Sequence, residues 1–127
     1  MRRPMATILC IDDEESIRRL VQVALEVAGY RVLIADSGQH GLRLLEHQEV
    51  DLILVDIFMP DMDGLEVIRL LRKTRPASKI IAITGKPGAT NNLDIAKHLG
   101  AHDTLMKPFS LQELLDAVAT QLQSSYP

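Results

Sequence analysis

Residues 52–64 read LILVDIFMPDMDG. The apolar residues Leu52 to Val55 run without a break, and the first polar group after them is Asp56. A run of this kind suits a strand covered on both faces in a parallel sheet. Pro60 and Gly64 mark a turn soon afterwards, so the carboxylate of Asp56 falls at the carboxyl tip of a buried strand. The arrangement recurs upstream in ILCIDDEE, residues 8–15, where Ile8 to Ile11 lead into Asp12 and Asp13. One acid on a strand tip is ordinary. Three acids on two tips point to a site.

This strand is expected over 51–57, and further apolar runs lie at 7–11, 31–35, 79–84 and 103–107. Between them the period changes. Ile17, Leu20, Val21, Ala24, Leu25 and Ala28 recur at helical spacing, as do Leu111, Leu114, Leu115, Val118 and Leu122. Gly29, Pro76 and Gly100 supply stop signals for the first, third and fourth helices. Residues 37–47 form a weaker helix, because Gly38 and Gly41 lower its propensity. The order is strand then helix, five times over, which predicts an α/β fold with a parallel sheet and helices on both faces. The loop TGKPGATNN, residues 84–92, is expected to be the most mobile connection.

Bulk properties narrow the class. A chain of 127 residues fits one domain. With 46% apolar and 24% charged residues it is an ordinary globular sequence, neither disordered nor membrane-embedded. A net charge of −3 argues against direct nucleic-acid binding, which needs a basic face. The lone cysteine, Cys10, sits in an apolar run and cannot form an internal disulfide. No run approaches the ~20 apolar residues of a membrane span, and MRRPMAT has no apolar stretch behind its arginines to make a signal peptide. These features predict a cytoplasmic protein without a membrane partner. Residues 1–5 read as a loose N-terminus and 124–127 as a tail.

Ligands of open parallel sheets bind at the carboxyl ends of the strands, beside the reversal of strand order. Asp12, Asp13 and Asp56 all fall at such ends, with Thr84 on the fourth strand and Lys107 on the fifth. Three close carboxylates repel, so they must raise a pKa, hydrogen-bond heavily or bind a cation. Mg2+ suits one or two carboxylates and retains waters that a phosphoryl oxygen can replace. Lys107 adds a positive charge and Thr84 a hydroxyl. Phosphoryl transfer needs little beyond positioning and charge stabilisation, and a carboxylate such as Asp56 can be its nucleophile.

Together these residues resemble the receiver domain of two-component response regulators, in the single-domain form typified by chemotaxis regulators. The likeness spans about residues 6–123 and is carried by IDDE, LILVDIFMPDMDG, IIAITG and GAHDTLMKPFS. It implies a flavodoxin-like doubly wound (βα)5 fold with strand order 2-1-3-4-5. It implies that Asp56 accepts the phosphoryl group. Asp12, Asp13 and Asp56 would hold Mg2+ with the backbone carbonyl of Phe58. Thr84 and Lys107 would bind the phosphoryl oxygens, and the Lys107–Pro108 bond would be cis. The partners implied are a sensor histidine kinase or histidine phosphotransfer protein, and a downstream protein target or effector domain. The surface of the fourth and fifth helices and fifth strand would carry the output. Such a protein catalyses only its own phosphorylation and dephosphorylation.

Taken singly, the residues have plainer readings. Asp12 and Asp13 suit a helix N-cap, and Asp61 and Asp63 suit turn and cap positions. DMDG is not a calcium loop, because Met59 stands where its first acid belongs. His40, His47, His98 and His102 lack metal spacing and read as surface residues, as do Lys97, Arg69, Arg72 and Arg75. A flavin-binding fold would want small polar residues where DDEE stands, and a haloacid-dehalogenase-type phosphatase would want an acid at Phe58.

There are also departures from the family. Thr104 replaces the aromatic residue usual three positions before the lysine, so coupling of Thr84 to the outer face must differ. Thr104 is the feature that favours the alternative, an interaction module independent of phosphorylation. The bulky Phe58 is expected to shield an acyl phosphate from water, and Lys86 to approach it. Residues 110–123 contain no Lys or Arg, unlike the winged-helix dimerising branch. With no effector domain after SSYP, the chain is expected to be a stand-alone receiver or the receiver of a longer protein.

Overall fold

Unbroken apolar sequence forms the middle of the sheet. Strands β1 (Thr7–Ile11), β3 (Leu52–Asp56) and β4 (Lys79–Thr84) are buried at every position. Such strands have no solvent side, and their sequences therefore lack alternation. β2 (Arg31–Ala35) and β5 (Asp103–Met106) are mixed in burial and form the edges. Helices α1 (Glu15–Val27), α2 (Gly38–Leu45), α3 (Gly64–Thr74), α4 (Thr90–Leu99) and α5 (Leu111–Gln123) alternate with the strands. The computed structural model describes residues 5–59, 64–85 and 90–123. Its strands are parallel in the order β2-β1-β3-β4-β5, the flavodoxin-like doubly wound arrangement.

The alternation of side chains across the sheet divides the core in two. Leu9, Ile11, Ile53, Val55 and Ile80 pack with Val67, Ile68 and Leu71 of α3 and Ala96 of α4. Ile8, Cys10, Leu54 and Ile81 pack on the other face with Val21 and Leu25 of α1 and Leu114 and Val118 of α5. Each fully buried Leu or Ile contributes about 1.5–3 kcal/mol of hydrophobic stabilisation, so the central strands are the most firmly held part of the molecule. Ile11 pairs with Val55. The next residues along, Asp12 just beyond β1 and Asp56 at the end of β3, are therefore neighbours at the point where the strand order reverses.

Local signals account for the helix ends. The His40 N–H donates to Ser37 Oγ at 3.1 Å, capping α2, and Gly38 and Gly41 are buried on its core face. That is why the two glycines do not abolish the helix. Ser110 and Glu113 form a reciprocal capping box before α5, with bonds of 3.0 and 3.1 Å. Gly29 and Gly100 follow α1 and α4 with φ of 100° and 130°, values that L side chains avoid. The bond Lys107–Pro108 is cis, as the resemblance implied.

Some expectations need correction. β5 ends at Met106 and β3 spans only Leu52–Asp56, so Lys107, Asp51 and Ile57 lie outside the strands. His102 is not a free surface residue: it is half-buried, and its Nδ1 accepts the Ile80 N–H at 3.0 Å. Arg72 and Arg75 are also half-buried rather than fully solvated. Arg75 donates to the Leu45 carbonyl, and Arg72 lies against Gly100. The expectations for Asp61, Asp63, Lys86 and the glycine-rich part of the 84–92 loop fall outside the described residues.

Candidate functional site

The site stands on the ends of β1, β3 and β4 and the segment after β5. Asp12 directly follows β1 and is fully buried, while Asp56 closes β3 and is 4% exposed. Asp13 is exposed beside them. Asp12, Asp13 and Asp56 each offer a carboxylate oxygen, and these three oxygens lie within 4.8 Å of one another. The backbone orients two of the acids. Asp12 Oδ1 accepts the Glu14 N–H at 2.8 Å, and Asp56 Oδ1 accepts the Phe58 N–H at 2.9 Å. Each bond fixes one oxygen and turns the other towards the space between the strands.

Lys107 Nζ enters that space. It lies 2.9 Å from Asp12 Oδ2, 3.2 Å from Asp56 Oδ2 and 2.9 Å from Glu14 Oε1. The contact with Asp12 is an ion pair that lacks hydrogen-bond geometry, and Asp12 Oδ2 has no hydrogen-bond partner despite its burial. A buried carboxylate oxygen needs a cation to serve it, and here the Lys107 ammonium does so.

The electrostatics follow from burial. Desolvation pushes the Asp12 carboxyl above its ordinary range, partly offset by the Glu14 N–H and Lys107. Burial raises Asp56 as well, opposed by the Phe58 N–H and Lys107 and reinforced by the Asp12 charge. For Lys107, burial acts downward, but Glu14, Asp12 and Asp56 prevail and hold the ammonium above its usual value. A single ammonium among four carboxylates leaves the cluster negative. Oxygen-only donors of this kind match a hard divalent cation. Burial pushes the thiol of Cys10, beneath the site, up to about 12, so it is neutral and takes no part.

The structure thus brings Asp12, Asp13, Asp56 and Lys107 together. Thr84 ends β4, fully buried, and its carbonyl accepts the Lys107 N–H at 2.7 Å. β4 places it one residue beyond Ile83, the partner of Asp56. Phe58 packs its side chain, half-buried, against the core beside α3. Thr104 stands apart from the acids, half-buried and paired with Ala82. Sequence reasoning missed Glu14 as a partner of Lys107. Its position next to the aspartate pair is the available signal. Glu14, rather than Asp12 or Asp13, is the N-cap of α1, and its side chain makes no capping bond.

Comparison with known proteins agrees with this geometry. The sequence profile of the response regulator receiver domain matches residues 8–119. The alkaline phosphatase synthesis transcriptional regulatory protein PhoP of Bacillus subtilis is 38% identical over 118 residues, covering 93% of this chain and 49% of that protein. The CAI-1 autoinducer sensor kinase/phosphatase CqsS of Vibrio cholerae is 39% identical over 114 residues, 88% of this chain but 17% of that protein. This chain spans about half the length of the first curated relatives it matches. Among solved structures, a CheY-like receiver domain protein from Methanospirillum hungatei superposes with a TM-score of 0.89 at 34% identity, covering 94% of both chains. Vibrio cholerae CheY4 gives 0.86 at 31% identity, covering 92% of this chain and 98% of that one.

Proposed function

The chain belongs to the response regulator receiver domain family, and we propose that it works as a phosphorylation switch with Asp56 as the phosphoacceptor. The observation that carries this reading is the buried Asp12–Asp56–Lys107 constellation at the reversal of strand order. Asp56 is tied by one oxygen to the Phe58 N–H, which leaves Oδ2 to attack phosphorus. In the transfer, a bond forms between Asp56 Oδ2 and phosphorus while the phosphorus–nitrogen bond of a phosphohistidine breaks. The donor imidazole retains the electron pair. Lys107 would balance charge on the phosphoryl oxygens, and Thr84, at the tip of β4, would donate its hydroxyl.

The donor set fits Mg2+, with Asp12, Asp13 and Asp56 as carboxylate ligands and the Phe58 carbonyl as a further oxygen. The burial of Asp12 and Asp56 beside one another, with the single ammonium of Lys107 to offset them, supports that assignment. When bound, the ion supplies charge neutralisation for the incoming phosphoryl group.

The partners in this reading are a sensor histidine kinase or histidine phosphotransfer protein upstream, and a protein target or effector domain downstream. Output would pass through the α4-β5-α5 face, where Ile95, Met106 and Leu111 are exposed. Turnover is limited to the chain's own phosphorylation and dephosphorylation. We assign the domain to residues 6–123 and its action to the cytoplasm. Among the described residues no helix is long and apolar enough to cross a membrane. A second reading, an interaction module independent of phosphate, draws on Thr104, where the family usually carries an aromatic ring.

The test is intact mass after incubation with a small phosphodonor and Mg2+. One added phosphoryl group, lost in Asp56→Asn and in the presence of a chelator, supports the switch. No added mass, together with no beryllofluoride complex, favours the second reading.

A further inference from the structure

Lys107 has three ammonium protons and three carboxylate neighbours: Asp12 Oδ2 at 2.9 Å, Asp56 Oδ2 at 3.2 Å and Glu14 Oε1 at 2.9 Å. The three neighbours differ in what they can do next. Asp12 and Asp56 also belong to the oxygen cluster within 4.8 Å that suits a divalent cation. Glu14 does not. Its side chain is 55% exposed and bonds Lys107 across the rim of the pocket, 93 residues away in sequence.

A dication and the ammonium cannot share Asp12 and Asp56 at their present distances, because like charges repel strongly in a partly buried site. Cation entry must therefore loosen Lys107 from both aspartates. Glu14 is the one neighbour in this set that stays available. Its side chain makes no capping bond to the start of α1, and among the described residues it pairs with Lys107.

We propose that Glu14 is a positioning residue: it retains the Lys107 ammonium at the rim when a divalent cation takes Asp12 and Asp56, and so lowers the cost of metal binding. The inference rests on the reading of the acidic cluster as a Mg2+ site. It assigns to Glu14 a contribution that reaches the metal only through Lys107. With Glu14 neutral, the displaced ammonium has no carboxylate partner outside the cluster among the described residues and competes for the aspartates.

The experiment is a double-mutant cycle on the Mg2+ dissociation constant, read by calorimetry at fixed ionic strength. The variants are Glu14→Gln, Lys107→Met and the pair, with folding checked by circular dichroism. Glu15→Gln is the control for net charge, because Glu15 is exposed and adjacent and has no contact with Lys107 among the interactions described. An exposed ion pair corresponds to roughly a 2- to 5-fold effect. Glu14→Gln should therefore weaken Mg2+ binding about 2- to 5-fold beyond Glu15→Gln, and this excess should vanish in the Lys107→Met background. Equal effects of the two glutamine variants would overturn the proposal. An excess that persists without Lys107 would also overturn it, by making Glu14 a direct ligand or a simple charge. Absence of any Mg2+ binding in the unaltered protein would instead remove the metal reading itself, and this proposal with it.

Discussion

Gly64 and Asp56 meet backbone to backbone: a Cβ added at Gly64 would lie 2.3 Å from the Asp56 carbonyl oxygen and 2.3 Å from Ile57 Cα. Neither neighbour is a flexible side chain that could step aside. Gly64→Ala should therefore push the start of α3 away from the tip of β3. The cost should be on the order of 1–3 kcal/mol, as for other overpacked sites, measured by urea unfolding. Phosphorylation of Asp56 should fall with it. Unchanged stability would show that the close approach relaxes freely.

The buried acids predict an unusual pH dependence. Asp12 and Asp56 titrate above the ordinary 3.8 in the folded chain. From 3.8 upward to those raised values, the native state holds more protons than the unfolded one. Their contribution to the stability of the metal-free protein therefore falls as pH rises through that window. Asp12→Asn should flatten this fall and stabilise the apo protein at pH 7 by on the order of 1 kcal/mol. It should also weaken Mg2+ binding. Urea titrations of both proteins across pH provide the check, and a variant less stable than its parent at pH 7 would contradict the account.

His102 should act in the opposite sense. Burial, aided by Lys79 and Arg72, holds its imidazole below the ordinary 6.5. Protonation would also remove the acceptor that Nδ1 offers the Ile80 N–H. The unfolded chain takes up the proton first, so stability is lost as pH falls below 6.5 towards the depressed native value. His102→Asn keeps an acceptor and cannot titrate, and it should abolish this component. His102→Leu leaves the N–H unsatisfied and should cost about 1–3 kcal/mol at all pH values.

Phe58 stands two residues beyond the proposed phosphoacceptor, half-buried against the core. If its ring excludes water, Phe58→Asn should hasten loss of the phosphoryl group by several-fold, of the order that positioning one water can supply. Decay of the phosphorylated mass with time is the measurement. An unchanged half-life would assign the ring to packing alone.

The sheet was legible because its central strands are buried on both sides and therefore unbroken in sequence. Asp12, Asp56 and Lys107 could be placed because each stands at the carboxyl end of an apolar run, two of them on central strands and Lys107 after the edge strand β5. Glu14 and His102 could not, for a shared reason. Each gains its role from a partner distant in sequence, Lys107 for one and the Ile80 backbone for the other. Periodicity reports which face a residue occupies, not what crosses that face to meet it. The helix expected over 37–47 forms despite its two glycines, since low propensity is outweighed by the Ser37 cap and by burial of Gly38 and Gly41.

The burial of the strands also divides the site mechanically. Asp12 and Asp56 are mounted on β1 and β3, which are clamped between helices on both sides and buried along their whole length. Lys107 hangs from β5, an edge strand with one buried position in four. One jaw of this vice is fixed and the other is sprung. Any change of charge at the fixed jaw must be taken up as displacement of the sprung one. Amide hydrogen exchange should therefore change first along β5 and the chain that follows it, while β1 and β3 stay silent.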